Sequence, residues 1–196
     1  MHNDKAELRT RLLAERRALT PEQRAHAATA LAAHAGALAR PGETVAAYVS
    51  VGGEPGTRPL LDALRAAGAR VLLPVLLPDN DLDWAEYTGP EALAPAARGL
   101  LEPTGPRLGP DAVTAAAVVL LPGLAVDRRG IRLGRGGGSY DRVLARLARL
   151  GATPVLATLL HDPELLPEVP AEPHDLPVHA AVTPSGVHWF GAAGGR

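Results

Sequence analysis

Between Pro122 and Arg142 the chain reads PGLAVDRRGIRLGRGGGSYDR. Gly134, Gly136, Gly137 and Gly138 stand beside Arg132 and Arg135, between a short apolar run and an amphipathic one. Glycines let backbone amides approach an anion closely. A helix start after them adds free N–H groups and a partial positive charge. Seven arginines fall between Arg128 and Arg149 in a chain that is neutral overall, a concentration that suits a small polyanion such as a nucleotide phosphate. The segment is not a P-loop, because no Gly-Lys-Ser/Thr follows the glycines. It is not the dinucleotide fingerprint, because Ser139 stands where a third glycine is required. A flexible glycine turn before a solvated basic helix is the plain alternative. The strand–loop–helix context weighs against it, since ligands of open parallel sheets sit beyond the carboxyl ends of the strands.

Other groups carry two readings each. Asp141 is a first-turn aspartate favoured by the helix dipole or a magnesium ligand beside the phosphates. Asp127 has the same two readings with less support. Glu54, in a Gly-Gly-Glu-Pro-Gly loop after the first apolar run, is a substrate contact or a turn carboxylate. Lys5 and Arg9 share a helical face at i, i+4, which by spacing alone is a solvated charged face. His161-Asp162 and His174-Asp175 offer histidine beside carboxylate. With no regular helix to align His174 and His179, transition-metal binding gains little support. There is no cysteine and no serine in a nucleophile-elbow pattern, so cysteine nucleophiles and that kind of hydrolase chemistry lack support.

These groups need a frame. The chain has 196 residues with 46% hydrophobic and 21% charged, which excludes a disordered or collagen-like chain. Twenty-one glycines and 19 prolines without a period imply many turns, and 3% aromatics imply a core of Leu, Val and Ala. A net charge of −1 makes non-specific nucleic-acid binding a poor expectation. No apolar stretch is long enough for a membrane span and no signal peptide is visible, so a cytoplasmic protein is expected. The first forty residues read as helix, with Thr20-Pro21-Glu22-Gln23 as a capped start and Arg40-Pro41-Gly42 as a stop. Buried strands are expected at 44–51, 70–77 (interrupted by Pro74), 118–121 and 153–160, and an edge strand at 82–87. Helices are expected at 59–67 and 140–150, and a hairpin at 180–190 around Pro184-Ser185-Gly186. Residues 166–177 read as a loop. Alternating strands and helices predict an α/β protein, a mostly parallel sheet sandwiched by helices, with the N-terminal helices packed on the sheet as part of a single 1–196 domain.

The run Pro122-Gly123-Leu124-Ala125, Asp127, Gly130, Arg132-Leu133-Gly134, Gly136, Gly138 and Tyr140-Asp141-Arg142 resembles the signature of the 5-formyltetrahydrofolate cyclo-ligase (methenyltetrahydrofolate synthetase) family. Lys5 with Leu8-Arg9, Ser50 with Glu54 and Thr57, Gly99 with Glu102-Pro103, and His174-Asp175 with Ala181-Val182-Thr183 follow in the family's order. The resemblance implies an ATP- and magnesium-dependent ring closure of 5-formyltetrahydrofolate by positioning and charge stabilisation, without a protein nucleophile, and the chain is expected to be a monomer. It implies that Lys5 and Arg9 hold ATP phosphates and that Arg132, Leu133, Gly134, Arg135, Gly136, Gly137, Gly138, Ser139 and Tyr140 wrap the nucleotide. Arg132, Arg135 and Tyr140 would serve catalysis. Val49, Glu54, Arg135 and Ser139 would face the folate, and Asp141 and Asp175 would hold Mg2+. The chain departs from the family at Ser139, where many members carry tyrosine, and at Gly137, where some carry lysine. A non-catalytic folate- or nucleotide-binding relative is the alternative, against which the retention of Lys5, Arg9, Arg132, Asp141 and Asp175 argues.

Overall fold

The computed structural model describes residues 2–191. Met1 and residues 192–196, part of the expected 1–196 unit, lie outside the described residues. The chain opens with α1 (His2–Ala18), α2 (Pro21–Ala32) and α3 (Ala35–Leu38), then β1 (Thr44–Ala46), α4 (Arg58–Ala66), β2 (Arg70–Leu76) and β3 (Leu82–Glu86). A small hairpin, β4 (Leu93–Pro95) and β5 (Leu101–Pro103), precedes β6 (Val118–Pro122). After it come β7 (Ala125–Asp127), β8 (Arg132–Leu133), α5 (Ser139–Arg149), β9 (Val155–Leu159), β10 (Leu165–Leu166), β11 (Ala180–Thr183) and β12 (Gly186–Trp189).

The main sheet has seven strands in the order β12-β11-β9-β6-β1-β2-β3. The five central strands are parallel, and the two edge strands, β12 and β3, run antiparallel to their neighbours. Alternate residues of β6 explain its unbroken apolar run. Val118 and Leu120 enter one core with α2, α3 and α4, whereas Val119 and Leu121 enter the opposite core with Val143 and Leu147 of α5. Pro74 is tolerated inside β2 because β1 pairs only with Arg70 to Leu72, so its missing N–H removes no bond from that ladder. The Thr20 capping box forms as its sequence predicts: Gln23 N–H donates to Thr20 Oγ1 at 3.2 Å, and Thr20 N–H to Gln23 Oε1 at 2.8 Å.

The N-terminal helices divide. α2 and α3 pack on the main sheet through Leu31 and Leu38. α1 instead lays Leu12 on a separate three-stranded sheet, β10-β7-β8, against Leu124, Ala125, Leu133 and Val169. That small sheet is too short in each strand to register as a periodic pattern. It decides where the glycine loop and the first helix meet.

Candidate functional site

Going out from β1, the chain turns one way through β2. From β6 it turns the other way through β9 and β11. The strand order therefore reverses between β1 and β6, and a crevice opens there at the carboxyl ends of the strands. A cleft of about 480 Å³ lies at this point. Its walls come from α1 (Lys5, Arg9), the loop after β1 (Glu54), the segment from Arg132 to Asp141, and the late loop with Glu172, His174, Asp175 and Leu176.

The loop after β1 is fixed by its own side chains. Ser50 N–H donates to Thr57 Oγ1 (2.9 Å), Thr57 N–H donates to Ser50 Oγ (3.0 Å), and the Thr57 hydroxyl donates to the Tyr48 carbonyl (2.8 Å). Val51 N–H donates to Glu54 Oε2 at 2.8 Å. Glu54 is thus presented to the cleft while its side chain is only 8% exposed, with Arg135 Nη1 3.6 Å from Oε1. Burial pushes its carboxyl above the ordinary range, opposed by the Val51 N–H and the charge of Arg135.

The glycine segment does not run straight from β6 into α5. It first folds back as the β7–β8 hairpin, organised by Asp127. This carboxylate is fully buried and accepts from the backbone N–H groups of Arg129, Ile131 and Val169 and from the Arg129 guanidinium. Burial alone would raise its pKa; the Arg129 and backbone donors hold it lowered. Of its two readings, Asp127 takes the structural one. The hairpin sets Arg132 in the cleft wall, where Nη1 donates to the Pro122 carbonyl at 2.8 Å and Nη2 lies 3.5 Å from Asp141 Oδ1. The Arg132 side chain is 9% exposed and Asp141 is 78% exposed. Burial draws the Arg132 guanidinium below its ordinary pKa, while Asp141 opposes the shift. α5 starts after Gly138, whose φ of +83° favours glycine. No side chain caps this end, so first-turn N–H groups face the cleft beside Ser139 and Tyr140. Tyr140 stacks edge-on with Tyr48, ring centroids 6.4 Å apart, and burial pushes its hydroxyl pKa up.

Lys5 and Arg9 do not form a solvated face. Seating Leu12 on the small sheet brings Arg9 Nε to the Gly134 carbonyl at 2.9 Å and Lys5 Nζ to Asp175 Oδ2 at 2.9 Å and Glu172 Oε2 at 3.0 Å. Burial pulls the Lys5 pKa down, but these two carboxylates leave it raised overall. Asp175 also accepts from the Glu172 N–H, and the Lys5 and Glu172 donors outweigh burial to lower its pKa.

Most of the proposed site residues share this one cleft; Val49 does not line it. It is 7% exposed and packs in the core below β1. The arginine-rich stretch also separates in space. Arg129 serves the Asp127 turn, Arg146 binds Asp81 with two hydrogen bonds of 2.9 and 2.7 Å, and Arg142 lies 3.6 Å from Asp79. Of the seven, Arg132 and Arg135 reach the cleft. The histidines divide likewise. His161 Nε2 meets the Gly53 carbonyl and His179 Nδ1 the Leu156 N–H, whereas His174 lies with Glu172 and Asp175 so that their ligand atoms fall within 4.8 Å. Glu172 had no signal in the sequence beyond its nearness to Asp175. The carboxylate oxygens of Asp141 and Asp175, which line the same cleft, are the hard donors that a magnesium ion takes.

Fold and site together define a doubly wound α/β protein with a cleft lined by Lys5, Arg9, Arg132 and Arg135 at its switch point. Residues 1–184 match the 5-formyltetrahydrofolate cyclo-ligase family. The chain is 46% identical over 185 residues to the 5-formyltetrahydrofolate cyclo-ligase of Mycolicibacterium smegmatis, covering 92% of this chain and 93% of the relative. It is 36% identical to that of Escherichia coli K12, covering 88% and 96%. The solution structure of Aquifex aeolicus 5,10-methenyltetrahydrofolate synthetase superposes with a TM-score of 0.78 at 27% identity, covering 98% of this chain and 94% of that one. The Mycoplasma pneumoniae synthetase shares the fold, with a TM-score of 0.71 at 19% identity, covering 92% and 99%. The chain belongs to the 5-formyltetrahydrofolate cyclo-ligase family. Among the described residues no helix is long and apolar enough to cross a membrane.

Proposed function

We propose that the chain closes 5-formyltetrahydrofolate to 5,10-methenyltetrahydrofolate at the expense of ATP, and that the β1/β6 cleft is where it does so. The observation that carries this reading is the convergence of Lys5, Arg9, Arg132 and Arg135 with Glu54, Asp141 and Asp175 on one cleft, from segments up to 170 residues apart. In the reaction the formyl oxygen attacks the γ-phosphorus, and ADP leaves. The N10 nitrogen adds to the activated formyl carbon, the carbon–oxygen bond to phosphate breaks, and the N10 proton is released. The N10–carbon bond closes the ring, and the double bond to N5 that forms as phosphate departs gives the methenyl product.

Each residue has a task that needs no covalent step. Arg132, nearly dry, presents a fixed charge to the transferring phosphoryl group, where such preorganised charge counts most. Arg9 and Lys5 hold the outer phosphates, and the amides of Gly136 to Tyr140 hold the remainder. Glu54 accepts from the pteridine's amino and ring N–H groups, and Arg135 stands between the two ligands. Tyr140 walls the reacting centre against Tyr48. Asp141 and Asp175 would hold Mg2+, which supplies neutralisation of phosphate charge. Lys5, which pairs with Asp175 and Glu172 in the free chain, would turn to a phosphate oxygen when ATP is bound. The same reading takes the chain to act as a monomer in the cytoplasm.

The test is purified protein with ATP, magnesium and 5-formyltetrahydrofolate, followed by the near-ultraviolet absorbance of the methenyl product. Product formation strictly dependent on ATP is expected. Nucleotide binding without product under any divalent cation would reject the enzyme in favour of a binding protein.

A further inference from the structure

α1 carries a further basic residue, beyond the cleft wall. Arg16 lies two turns beyond Arg9 and is 3% exposed. Its Nε donates to Glu164 Oε1 at 2.6 Å, and its Nη2 donates to Glu164 Oε2 at 2.9 Å and to the Gly123 carbonyl at 2.6 Å. Glu164 Oε2 also accepts the His161 N–H at 2.9 Å, and His161 Nε2 lies 3.1 Å from the Gly53 carbonyl. The contact with the β1 loop is steric as well: a Cβ on Gly53 would stand 2.9 Å from Arg16 Cβ. One buried ion pair therefore fastens α1 to the chain ends after β1, β6 and β9. Gly53 adjoins Glu54, and Gly123 adjoins Pro122, whose carbonyl holds Arg132.

We propose that Arg16 and Glu164 form a positioning pair that couples the nucleotide side of the cleft to the folate side. The proposal rests on Lys5 and Arg9 meeting the nucleotide and Glu54 the folate. Neither Arg16 nor Glu164 lines the cleft. A bidentate guanidinium–carboxylate contact is directional, so α1 cannot shift without moving the Gly53-Glu54 turn and the Gly123 strand end with it. When phosphates draw Lys5 and Arg9, the same helix sets Glu54 for the pteridine, and the reverse follows by reciprocity.

The experiment compares wild type with Arg16→Met/Glu164→Leu, in which apolar side chains replace both charges and leave neither buried alone. Glu164→Gln serves as a second, near-isosteric variant. Calorimetry measures the dissociation constant of a non-hydrolysable ATP analogue with magnesium, with and without saturating 5-formyltetrahydrofolate. In wild type the folate should tighten analogue binding about tenfold, within the usual span of coupling between sites. In the double variant that factor should fall to about one, and in Glu164→Gln it should fall part of the way, with analogue binding alone little changed. A folded double variant with the wild-type factor, or a wild type with no coupling, overturns the proposal. Failure of both variants to fold would assign the pair to folding alone and overturn it too. Lys5→Ala separates the premises: if it binds the analogue as wild type does, the nucleotide assignment fails, not the coupling.

Discussion

Replacing Arg132 by methionine tests the cleft at a deeply buried positive charge. The side chain is 9% exposed, with Nη1 on the Pro122 carbonyl at 2.8 Å and Nη2 3.5 Å from Asp141. Two unit charges 4 Å apart at an effective dielectric of about 20 interact by about 4 kcal/mol. Part of that acts on bound ATP already, and only the share that grows in the transition state slows the chemical step. About 3 kcal/mol of transition-state stabilisation is then at stake, or about two orders of magnitude in kcat/KM. Stability should hardly move. The Pro122 carbonyl loses a donor, which costs about 1–2 kcal/mol, but a desolvated charge is removed at the same time. The net should stay within about 1 kcal/mol, a Tm change of about 2–4 °C for a chain of this size. Arg132→Lys should fall between wild type and methionine, because it keeps the charge and loses the fork. The assay is initial rate of methenyl absorbance at saturating ATP, with a thermal melt in parallel. A folded Arg132→Met enzyme within about threefold of wild type in kcat/KM, less than 1 kcal/mol, would refute the placement of the phosphoryl group beside this guanidinium.

Three further outcomes follow from the same geometry. Asp141→Asn should fold normally, since the side chain is 78% exposed, yet need far more magnesium for half-maximal rate; an unchanged magnesium titration would remove it from the ligand set. Asp127→Asn should lower stability at neutral pH by about 2 kcal/mol, roughly 4–8 °C in Tm, because its buried carboxylate is the acceptor for the whole β7–β8 turn. Its folded pKa is lowered, so the stabilisation is present above the unfolded value of about 4 and is lost as pH falls through the folded one. Melts of wild type and variant should therefore converge in acid, and a constant gap would contradict this account. Glu54 carries the opposite sign. Its folded pKa is raised by burial, so its relative stabilisation is present in acid and fades as pH rises through the folded value. Glu54→Gln should lack that slope, and the Tm of wild type minus variant should fall between about pH 4 and neutrality; a flat difference would mean the carboxylate is solvated.

The apolar runs were legible in the chain because their pattern is local. Val118 to Leu121 is buried on both faces, so its unbroken hydrophobicity specifies a central parallel strand, and Thr20, Pro21 and Gln23 specify a helix start through bonds three residues apart. The glycine loop and its strand–helix flanks were legible for the same reason, and likeness to a family added Lys5, Arg9 and Asp175. Other features were not. Arg128 to Arg149 is one basic stretch along the sequence, yet a helix and a hairpin turn its arginines to different sides, and Arg146 and Arg129 end on Asp81 and Asp127. The role of Arg16 is equally silent in the sequence, because Glu164 lies 148 residues away.

Sequence alone thus determined the alternation of strands and helices and the glycine- and arginine-rich character of the segment after β6, since both arise from neighbouring residues. Only the tertiary structure decided that β1 and β6 stand side by side where the strand order reverses, and that Leu12 seats α1 on a small second sheet. Those two placements depend on pairing and packing between segments far apart in the chain, Val45 with Val118 in one case and Leu12 with Leu124 in the other. They turn Lys5 and Arg9 from a solvated pair into one wall of the cleft.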